Sequence, residues 1–180
     1  MKRRWRVLGL ERDKVSLSLS PHQEVWARLF EEEKRRLEGV GEGVLDIQHV
    51  GSTAVPGLKA KPILDIAVAV ENFEEAFVLV PATERLGYTY RGENGIARRH
   101  YFVKGPPNGR THHIHMFEED NEEWAKHLLF RDYLRTHPET VSAYQALKED
   151  LARRYSEDRE AYTDGKHEFI QEVLKEARGA

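Results

Sequence analysis

The chain has 180 residues, of which 39% are hydrophobic and 33% are charged, and its formal net charge is -3. This length fits a single domain over residues 1–180, and the interspersed charges describe a solvated globular surface rather than a disordered chain. The net charge gives no strong signal for nucleic-acid binding, and the lack of cysteine excludes disulfides, thiolate zinc sites and cysteine nucleophiles.

The N-terminal segment, residues 1–6, is basic but is not followed by the apolar stretch of a signal peptide. No run of the sequence approaches the roughly 20 apolar residues that a membrane-spanning helix needs. We therefore expect a cytoplasmic protein without membrane contact.

The first predicted element is a long helix that begins at Ser20. Ser20 and Gln23 are placed as a capping box, and Pro21 is tolerated at the first helical position. The helix is expected to end at Gly39. Its apolar residues recur on one face and belong to the core: Val25, Trp26, Leu29, Phe30 and Leu37.

Two strands are predicted next, over residues 44–50 and 63–70, where apolar and β-branched residues run between Gly and Pro boundaries. The second strand is apolar almost throughout, which favours a central position buried on both faces. A single carboxylate, Asp65, interrupts it. Residues 51–57 are expected to form a compact turn or a helix start between the two strands.

A helix is expected over residues 72–86, kinked or interrupted by Pro81. Three antiparallel strands follow, the last two joined by a hairpin across residues 105–109. These strands cover residues 88–91, 99–103 and 111–117. From residue 121 onward the pattern predicts three helices, of which Pro138 opens the second.

The turn at Gly51, Ser52 and Thr53 is the first candidate site. Glycine lets a backbone approach a phosphate, and a serine hydroxyl beside free backbone N–H groups can donate to phosphate oxygens. Taken alone, such residues more often form an ordinary turn.

Asp65 strengthens the phosphate interpretation, because a carboxylate beside a phosphate cradle can bring a divalent ion to a nucleotide. The set is incomplete, since the residue two positions along on the same face is Ala67. An equally weighted alternative is a structural Asp65 paired with Lys59, Lys61 or a neighbouring arginine.

A second candidate is the histidine-rich strand near residue 113. Alternation along a strand puts His113 and His115 on one face and His112 on the other. With a carboxylate from an adjacent strand, the first two would form a His-His-Asp site with open positions, suited to Zn, Mn or Fe(II). Histidines on a solvated or hydrogen-bonded face of a sheet remain an even alternative.

Several cations could neutralise a bound anion. Arg99 flanks the hairpin that carries the histidines, together with Arg98, Lys104 and Arg110. Arg131 and Lys166, further along the chain, could each reach a phosphate. The alternatives are a charged hairpin that protects exposed edges, a surface ion pair at Arg131 and a solvated Lys166.

Two motifs, over residues 49–58 and 61–66, strongly resemble the signature of the GrpB-like proteins, also called the UPF0157 family. Features near residues 111–115, 129–138 and 162–169 match that family in order, and Leu8 to Leu10 with Val15 is similar to its opening strand. The resemblance implies an α+β fold of the nucleotidyltransferase superfamily: a mixed β-sheet flanked by helices, with a helical C-terminal portion.

The resemblance also implies roles for individual residues. Gly51 and Ser52 fall on the phosphate cradle of that fold, and Asp65 falls on its first metal carboxylate. Ala67 stands where many active members place the second, so His113 and His115 would have to replace the missing ligands. In some bacteria a similar domain is fused to dephospho-coenzyme A kinase, which implies nucleotide or coenzyme A metabolism.

The leading hypothesis is a metal-dependent nucleotidyl or phosphoryl transferase that acts on a nucleotide or other phosphorylated small molecule and an unknown acceptor. Asp65 would be catalytic and would hold Mg, Mn or Zn together with His113 and His115. The phosphates would be bound by Gly51, Ser52, Thr53, Arg99, Arg131 and Lys166. Two alternatives are a non-catalytic nucleotide- or coenzyme A-binding module and a His/Asp metal-dependent phosphoester hydrolase.

Overall fold

The structure of the protein is a computed structural model that describes residues 18–179. Residues 1–6 and the proposed opening strand near Leu8 to Val15 lie outside the described residues. The helices are α1 (Val25–Glu38), α2 (Val80–Arg85), α3 (Glu122–Thr136), α4 (Pro138–Arg154), α5 (Arg159–Asp164) and α6 (His167–Gly179). The strands are β1 (Val44–Val50), β2 (Leu64–Val70), β3 (Tyr88–Tyr90), β4 (His100–Lys104) and β5 (His112–Glu118).

The strands form one mixed sheet in the order β1-β2-β5-β4-β3. The pairing of β2 with β5 is parallel, and the other neighbours are antiparallel. The central position predicted for the second strand is therefore confirmed. Its register places Asp65 opposite His113 and Ala67 opposite His115, so β2 and β5 present these side chains on the same face of the sheet.

Each face of the sheet is covered by helices. On one face, Ile66, Val68 and Ile114 pack with residues of α1 in the larger core cluster. On the other face, Ala67, Ala69 and Phe117 pack against Trp124 of α3. A third cluster joins the loop after β1 to α3 and α4, because it contains Val55, Leu58, Leu134 and Tyr144. This last contact holds α4 over the turn that follows β1.

The predicted helix start at Ser20 is wrong. Ser20 pairs with Ala60 through two backbone hydrogen bonds of 2.8 and 3.0 Å, and α1 begins at Val25 without a side-chain cap. The backbone pairing holds Ser20 in an extended segment beside the loop before β2. Such long-range pairing is not visible in a local capping pattern.

The helix predicted over residues 72–86 is divided in two. Asn72 Oδ1 accepts a hydrogen bond of 2.9 Å from the backbone N–H of Glu75, and a 3-10 turn then covers Glu75–Leu79. Pro81 lies in the first turn of α2, where a missing N–H costs nothing.

The predicted hairpin of the fourth and fifth strands is confirmed, with each strand shifted by one residue from its expected bounds. The helical C-terminal portion is also confirmed, and it begins where Asn121 caps α3 by accepting from Glu123 N–H at 2.8 Å. It contains four helices instead of three, because the short α5 precedes α6. None of the helices within residues 18–179 is long and apolar enough to cross a membrane.

Candidate functional site

The turn after β1 lies directly against Asp65. Val50, the last residue of β1, pairs with Asp65, so Gly51 enters the turn beside that carboxylate. The φ of Gly51 is +70°, and a Cβ at this position would lie 2.7 Å from Asp65 Oδ2. Only glycine allows both this backbone conformation and this approach. The glycine therefore sets the distance between the turn and Asp65.

Thr53 holds the turn from inside. Its side chain is buried, and its hydroxyl donates to the carbonyl of Ile63 at 3.4 Å and lies 2.9 Å from His49 Nε2. Since the hydroxyl has one proton to give, His49 donates to it from Nε2. Burial lowers the pKa of His49 to about 4, so this histidine is neutral at pH 7. Both polar roles of the Thr53 hydroxyl are therefore used within the fold.

Asp65 accepts from the two histidines of β5. Its Oδ1 lies 3.1 Å from His115 Nε2 and 3.4 Å from His113 Nδ1, and 30% of its side chain is exposed. Burial raises the pKa of Asp65, but the hydrogen bonds from His113 and His115 outweigh burial and hold the pKa well below its usual value. Asp65 is therefore a carboxylate, and His113 and His115 converge on it as the metal hypothesis requires.

The proton of His115 faces Asp65. Arg99 lies 3.3 Å from His115 Nδ1, and a guanidinium can only donate, so Nδ1 carries a lone pair and the proton is on Nε2. Burial lowers the pKa of His115 to about 4; Asp65 opposes this shift, and His127 and Arg99 reinforce it. A neutral His115 thus donates to Asp65 and accepts from Arg99.

This arrangement does not fit a resident divalent ion. A metal ligand needs a lone pair directed at the ion, whereas His115 directs a proton towards Asp65. In addition, no group of three or more His, Asp or Glu side chains within residues 18–179 has the geometry to hold a metal ion. Metal binding by Asp65, His113 and His115 therefore stays a prediction that requires His115 to change its hydrogen bonds.

Three lysines from separate parts of the chain lie near the turn, and together they form what we call the lysine cluster. Lys148 of α4 is 2% exposed, and its Nζ donates to Ser52 Oγ at 3.0 Å and to the carbonyl of Lys59. Lys61 and Lys166 lie on the same aromatic ring, with Nζ 4.4 and 4.6 Å from the centroid of Tyr162. The cluster is Lys61, Lys148 and Lys166.

The lysine cluster holds more positive charge than the carboxylates of residues 18–179 compensate. Burial lowers the pKa of Lys148 to about 7, and the charges of Lys166 and Lys61 lower it further. Burial likewise lowers the pKa of Lys61 to about 8 and that of Lys166 below its usual value. Asp65 raises the pKa of all three, but a single carboxylate does not cancel their mutual repulsion. An anion bound here would favour their charged forms.

The other two predicted cations lie in different surroundings. Arg99 is 6% exposed and donates to the carbonyls of Glu93 and Asn94, and it adjoins the site through His115. Arg131 is 8% exposed and donates to the carbonyl of His49. Arg131 lines a groove of about 400 Å³ between α1, β1 and α3.

The structure thus brings together six of the predicted site residues: Gly51, Ser52, Asp65, His113, His115 and Lys166. It leaves Arg131 at the outer edge of β1.

Sequence reasoning missed Lys148, although one signal was available. Lys148 lies four residues after Tyr144 and three before Leu151, and all three are buried on the same stripe of α4. A lysine within an apolar helical stripe is rarely fully buried without a partner. The partner, Ser52, is 96 residues away in sequence, and nothing local identifies it.

The fold and the site define an α+β protein with a nucleotidyltransferase-like mixed sheet, flanked by helices and completed by a helical C-terminal portion. A sequence profile of the family described as GrpB protein matches residues 16–176. The chain belongs to this family, as the resemblance of its motifs predicted.

Individual relatives agree with this assignment. The chain is 44% identical to the UPF0157 protein YqkA of Bacillus subtilis, over 87% of this chain and 46% of that protein. It is 38% identical to the glutamate-rich protein GrpB of Alkalihalophilus pseudofirmus, over 94% of this chain and 99% of that protein. The crystal structure of the conserved protein GrpB from Enterococcus faecalis is similar, with a TM-score of 0.83, 41% identity and coverage of 89% of this chain and 96% of that one.

The match to longer proteins is partial. The chain spans about half the length of YqkA, 46%. A more distant match, 26% identical over 163 residues, is a protein named dephospho-CoA kinase from Mycolicibacterium paratuberculosis, of which the chain covers 40%.

Proposed function

We propose that the chain binds the phosphate groups of a nucleotide or another phosphorylated small molecule at the Gly51–Ser52 turn, and that it transfers a nucleotidyl or phosphoryl group from this ligand. The observation that carries the proposal is the lysine cluster beside Ser52. Within residues 18–179, Asp65 is the one carboxylate whose charge acts on all three lysines. A phosphate supplies both the negative charge and the several acceptor oxygens that such donors need.

The position of Asp65 supports a defined orientation for this ligand. Asp65 is ionised and its Oδ1 faces His113 and His115, so its charge is held on the histidine side of the turn. An anion therefore has a favourable approach from the side of Ser52 and Lys148 and an unfavourable one from the side of Asp65. This polarity favours binding of the phosphates, and so of the reacting phosphorus, at Ser52 and away from Asp65.

A second candidate function is binding of a nucleotide or of a coenzyme A precursor without turnover. The observation that favours it is Ala67, which is fully buried on the face of Asp65 where a second carboxylate would stand. A site with one carboxylate and several lysines binds phosphate but does not support two-metal transfer. Release of product from a labelled nucleotide would exclude this candidate, and so would incorporation of label into an acceptor.

The third alternative is a metal-dependent phosphoester hydrolase, in which Asp65, His113 and His115 perform the catalysis and the Gly51–Ser52 turn only binds phosphate. Like the metal-dependent transferase, this hydrolase requires the proton of His115 to move from Nε2 to Nδ1, so that Nε2 can bind the metal ion. Activity with Mn or Zn and no preference for nucleotides would favour it.

The binding proposal is tested by calorimetric titration of ATP and of pyrophosphate at pH 7, with and without Mg or Mn. We expect binding without metal, and we expect Lys166→Met to weaken it by about 10-fold or more, because a charged hydrogen bond to phosphate contributes about 1.5–3 kcal/mol. The matched control is Lys59→Met. The Lys59 ammonium pairs with Glu149 at 2.6 Å and is not in the lysine cluster, so this variant should bind as the wild type does.

The same titration has a pH signature. Because the pKa of Lys148 is about 7 and that of Lys61 about 8, the free cluster loses positive charge between pH 6 and pH 9. Affinity should therefore fall as the pH rises through this range, and binding near pH 8 should take up protons from the buffer. Wild-type protein that binds neither ligand at any of these pH values would contradict the proposal.

A further inference from the structure

Ser52 and Lys148 make a contact that binding of phosphate alone does not explain. A lysine that only attracts an anion needs exposure to it, yet Lys148 is 2% exposed and its Nζ lies behind the Ser52 hydroxyl at 3.0 Å. Ser52 is the partly exposed member of the pair. An incoming ligand therefore meets the serine oxygen first, with the lysine nitrogen in contact with that oxygen.

The neighbours of Lys148 can hydrogen bond with its side chain both as a charged ammonium group and as a neutral amine. Its Nζ faces the carbonyl of Lys59 and the ring of Tyr144, 5.1 Å from the ring centroid, and both of these can only accept. The third neighbour is the Ser52 hydroxyl, which can accept from an ammonium or donate to a neutral amine. The Ser52 hydroxyl also hydrogen bonds with the Tyr144 hydroxyl, which can donate to Ser52 Oγ or accept from it. A proton can therefore move between Ser52 and Lys148 without leaving either group unpaired.

We infer that Ser52 is a nucleophile and that Lys148 is its general base, so that the site passes a phosphoryl group through a phosphoserine at position 52. The neutral Lys148 amine takes the Ser52 hydroxyl proton as Oγ forms a bond to phosphorus. The bond from phosphorus to its leaving oxygen breaks on the opposite side of phosphorus, so that this oxygen departs as the anion of the remaining ligand while Lys148 keeps the proton. The phosphoryl donor is the phosphorylated ligand, so this step rests on the proposed function.

The charges around the pair suit this step. The groups that act on Lys148 are Lys166, Lys61 and Asp65, and burial with the two lysines keeps its pKa at about 7. About half of Lys148 is thus neutral at pH 7 in the free protein. Only this neutral form acts as the base, and because a bound anion favours the charged form, transfer should become faster as the pH rises above 7. Lys61 and Lys166 remain to bind the phosphoryl oxygens, where negative charge is greatest during transfer.

The test uses an uncharged alkyl fluorophosphonate ester, whose labelling of serine requires an activated hydroxyl but not a site for anions. Oγ displaces fluoride from phosphorus, and peptide mass spectrometry identifies the serine that is labelled. We expect Ser52 to be labelled much faster than the exposed Ser156, at a rate that rises with pH and levels off above about 7. Ordinary serines react instead in proportion to hydroxide and show no plateau.

The matched variants are Lys148→Arg and Lys59→Arg. An arginine at position 148 keeps the positive charge but cannot act as a base, so labelling of Ser52 should fall about 100-fold or more. Lys59→Arg, which alters only the pair with Glu149, should react as the wild type does. If Lys148→Arg fails to fold, the comparison of Ser52 with Ser156 in the wild type still decides the question.

The two proposals fail differently. Phosphate binding with Ser52 labelled no faster than Ser156 overturns the nucleophile and leaves the proposed function intact. Rapid labelling of Ser52 with no binding of ATP or pyrophosphate overturns the proposed function and, with it, the phosphoryl donor of this inference.

Discussion

Two groups of buried charges lie on opposite faces of the sheet and are balanced in different ways. On the face covered by α1, Glu33 is 3% exposed and accepts from the Tyr88 hydroxyl at 2.8 Å and from Lys104 Nζ at 2.9 Å. Arg36 completes this network at 3.4 Å from the second carboxylate oxygen. Burial raises the pKa of Glu33, but Lys104 and Tyr88 outweigh burial and the pKa lies below its usual value. The charges of this network are paired within the fold.

In the part of the chain that the structure describes, the lysine cluster on the other face lacks that balance. Its three lysines share the influence of Asp65, which is itself engaged by His113 and His115. A fold selected for stability alone would replace an uncompensated buried lysine by an apolar residue. The difference between the faces therefore separates a structural network from a site that a ligand completes.

The largest expected effect comes from breaking the structural network. Glu33→Gln leaves Lys104 without a carboxylate, and removing one partner of a buried ion pair costs about 3–5 kcal/mol. For a chain of this size, that loss should lower the melting temperature by roughly 10 °C. Because the folded pKa of Glu33 is lowered, its contribution is present at neutral pH and is lost as the pH falls through that pKa. The difference between variant and wild type should therefore shrink in acid.

The same variant tests the comparison on the functional side. Glu33→Gln protein that remains folded should bind ATP with unchanged affinity, since its network faces away from Ser52. A loss of binding without a loss of stability would place Glu33 in the site and contradict the division between the two faces.

The second effect concerns the close approach of the turn to Asp65. Gly51→Ala forces a side chain to φ +70° and into contact with Asp65 Oδ2. We expect a loss of about 2–3 kcal/mol, of which about 1 kcal/mol is backbone strain, together with loss of phosphate binding. Gly57→Ala is the matched control, because φ is +82° there and nothing lies within 4 Å of the added Cβ. Chemical denaturation measures the free energy of unfolding of both variants, and the difference between them isolates the contact with Asp65. Equal losses would show that this contact does not contribute to stability.

The third effect is a change in the pH dependence of stability. In the unfolded chain Lys148 has its ordinary pKa, whereas in the folded chain burial lowers it to about 7. Between these values the unfolded state binds more protons, so the wild type gains stability as the pH rises above 7 and loses it as the pH falls towards 7. Lys148→Met removes this term. Relative to the wild type, the variant should be most stable near pH 6, and its advantage should decrease towards pH 9 by about 1–3 kcal/mol.

The control for this measurement is Lys59→Met, whose side chain is 40% exposed in the wild type. Its stability relative to the wild type should not change over the same range of pH. Parallel curves for Lys148→Met and the wild type would mean that Lys148 is solvated and that the lysine cluster is not strained.

Much of the fold could be predicted from the sequence, because the signals were local. The apolar run of β2, the alternation of His113 and His115 and the Asn121 cap are all read within a few neighbouring residues. The start of α1 could not be predicted, since a backbone pairing between Ser20 and Ala60 overrides the local capping pattern.

The candidate site divides in the same way. Gly51, Ser52 and Asp65 lie in two adjacent motifs, so their resemblance to a known family identified them together. Lys148 and the aromatic ring shared by Lys61 and Lys166 are contributed by α4 and α5, far along the chain. Their charge becomes informative only when tertiary packing removes them from water.

The smallest expected effect tests whether the orientation of His115 limits metal binding by Asp65, His113 and His115. Arg99 donates to His115 Nδ1 and fixes the Nε2 proton towards Asp65. Arg99→Leu removes that donor and a positive charge, so the pKa of His115 should rise above its value of about 4. Titration by NMR measures this change in pKa. The internal reference is His49, whose pKa is also about 4. The pKa of His49 is set by burial and by the charges of Asp65, Arg135 and Arg131, so it should not change.

Arg99→Leu should also bind Mn or Zn more tightly than the wild type, by about 10-fold at most. Without Arg99, the proton of His115 can move to Nδ1, and Nε2 then directs a lone pair towards a metal ion beside Asp65. The substitution Arg99→Gln would not serve equally, since a glutamine amide can donate to Nδ1 as arginine does. A rise in the pKa of His115 without any gain in metal affinity would mean that the missing carboxylate at Ala67, and not the orientation of His115, limits metal binding on this face of the sheet. The polar face of the turn would then be a site for anions alone.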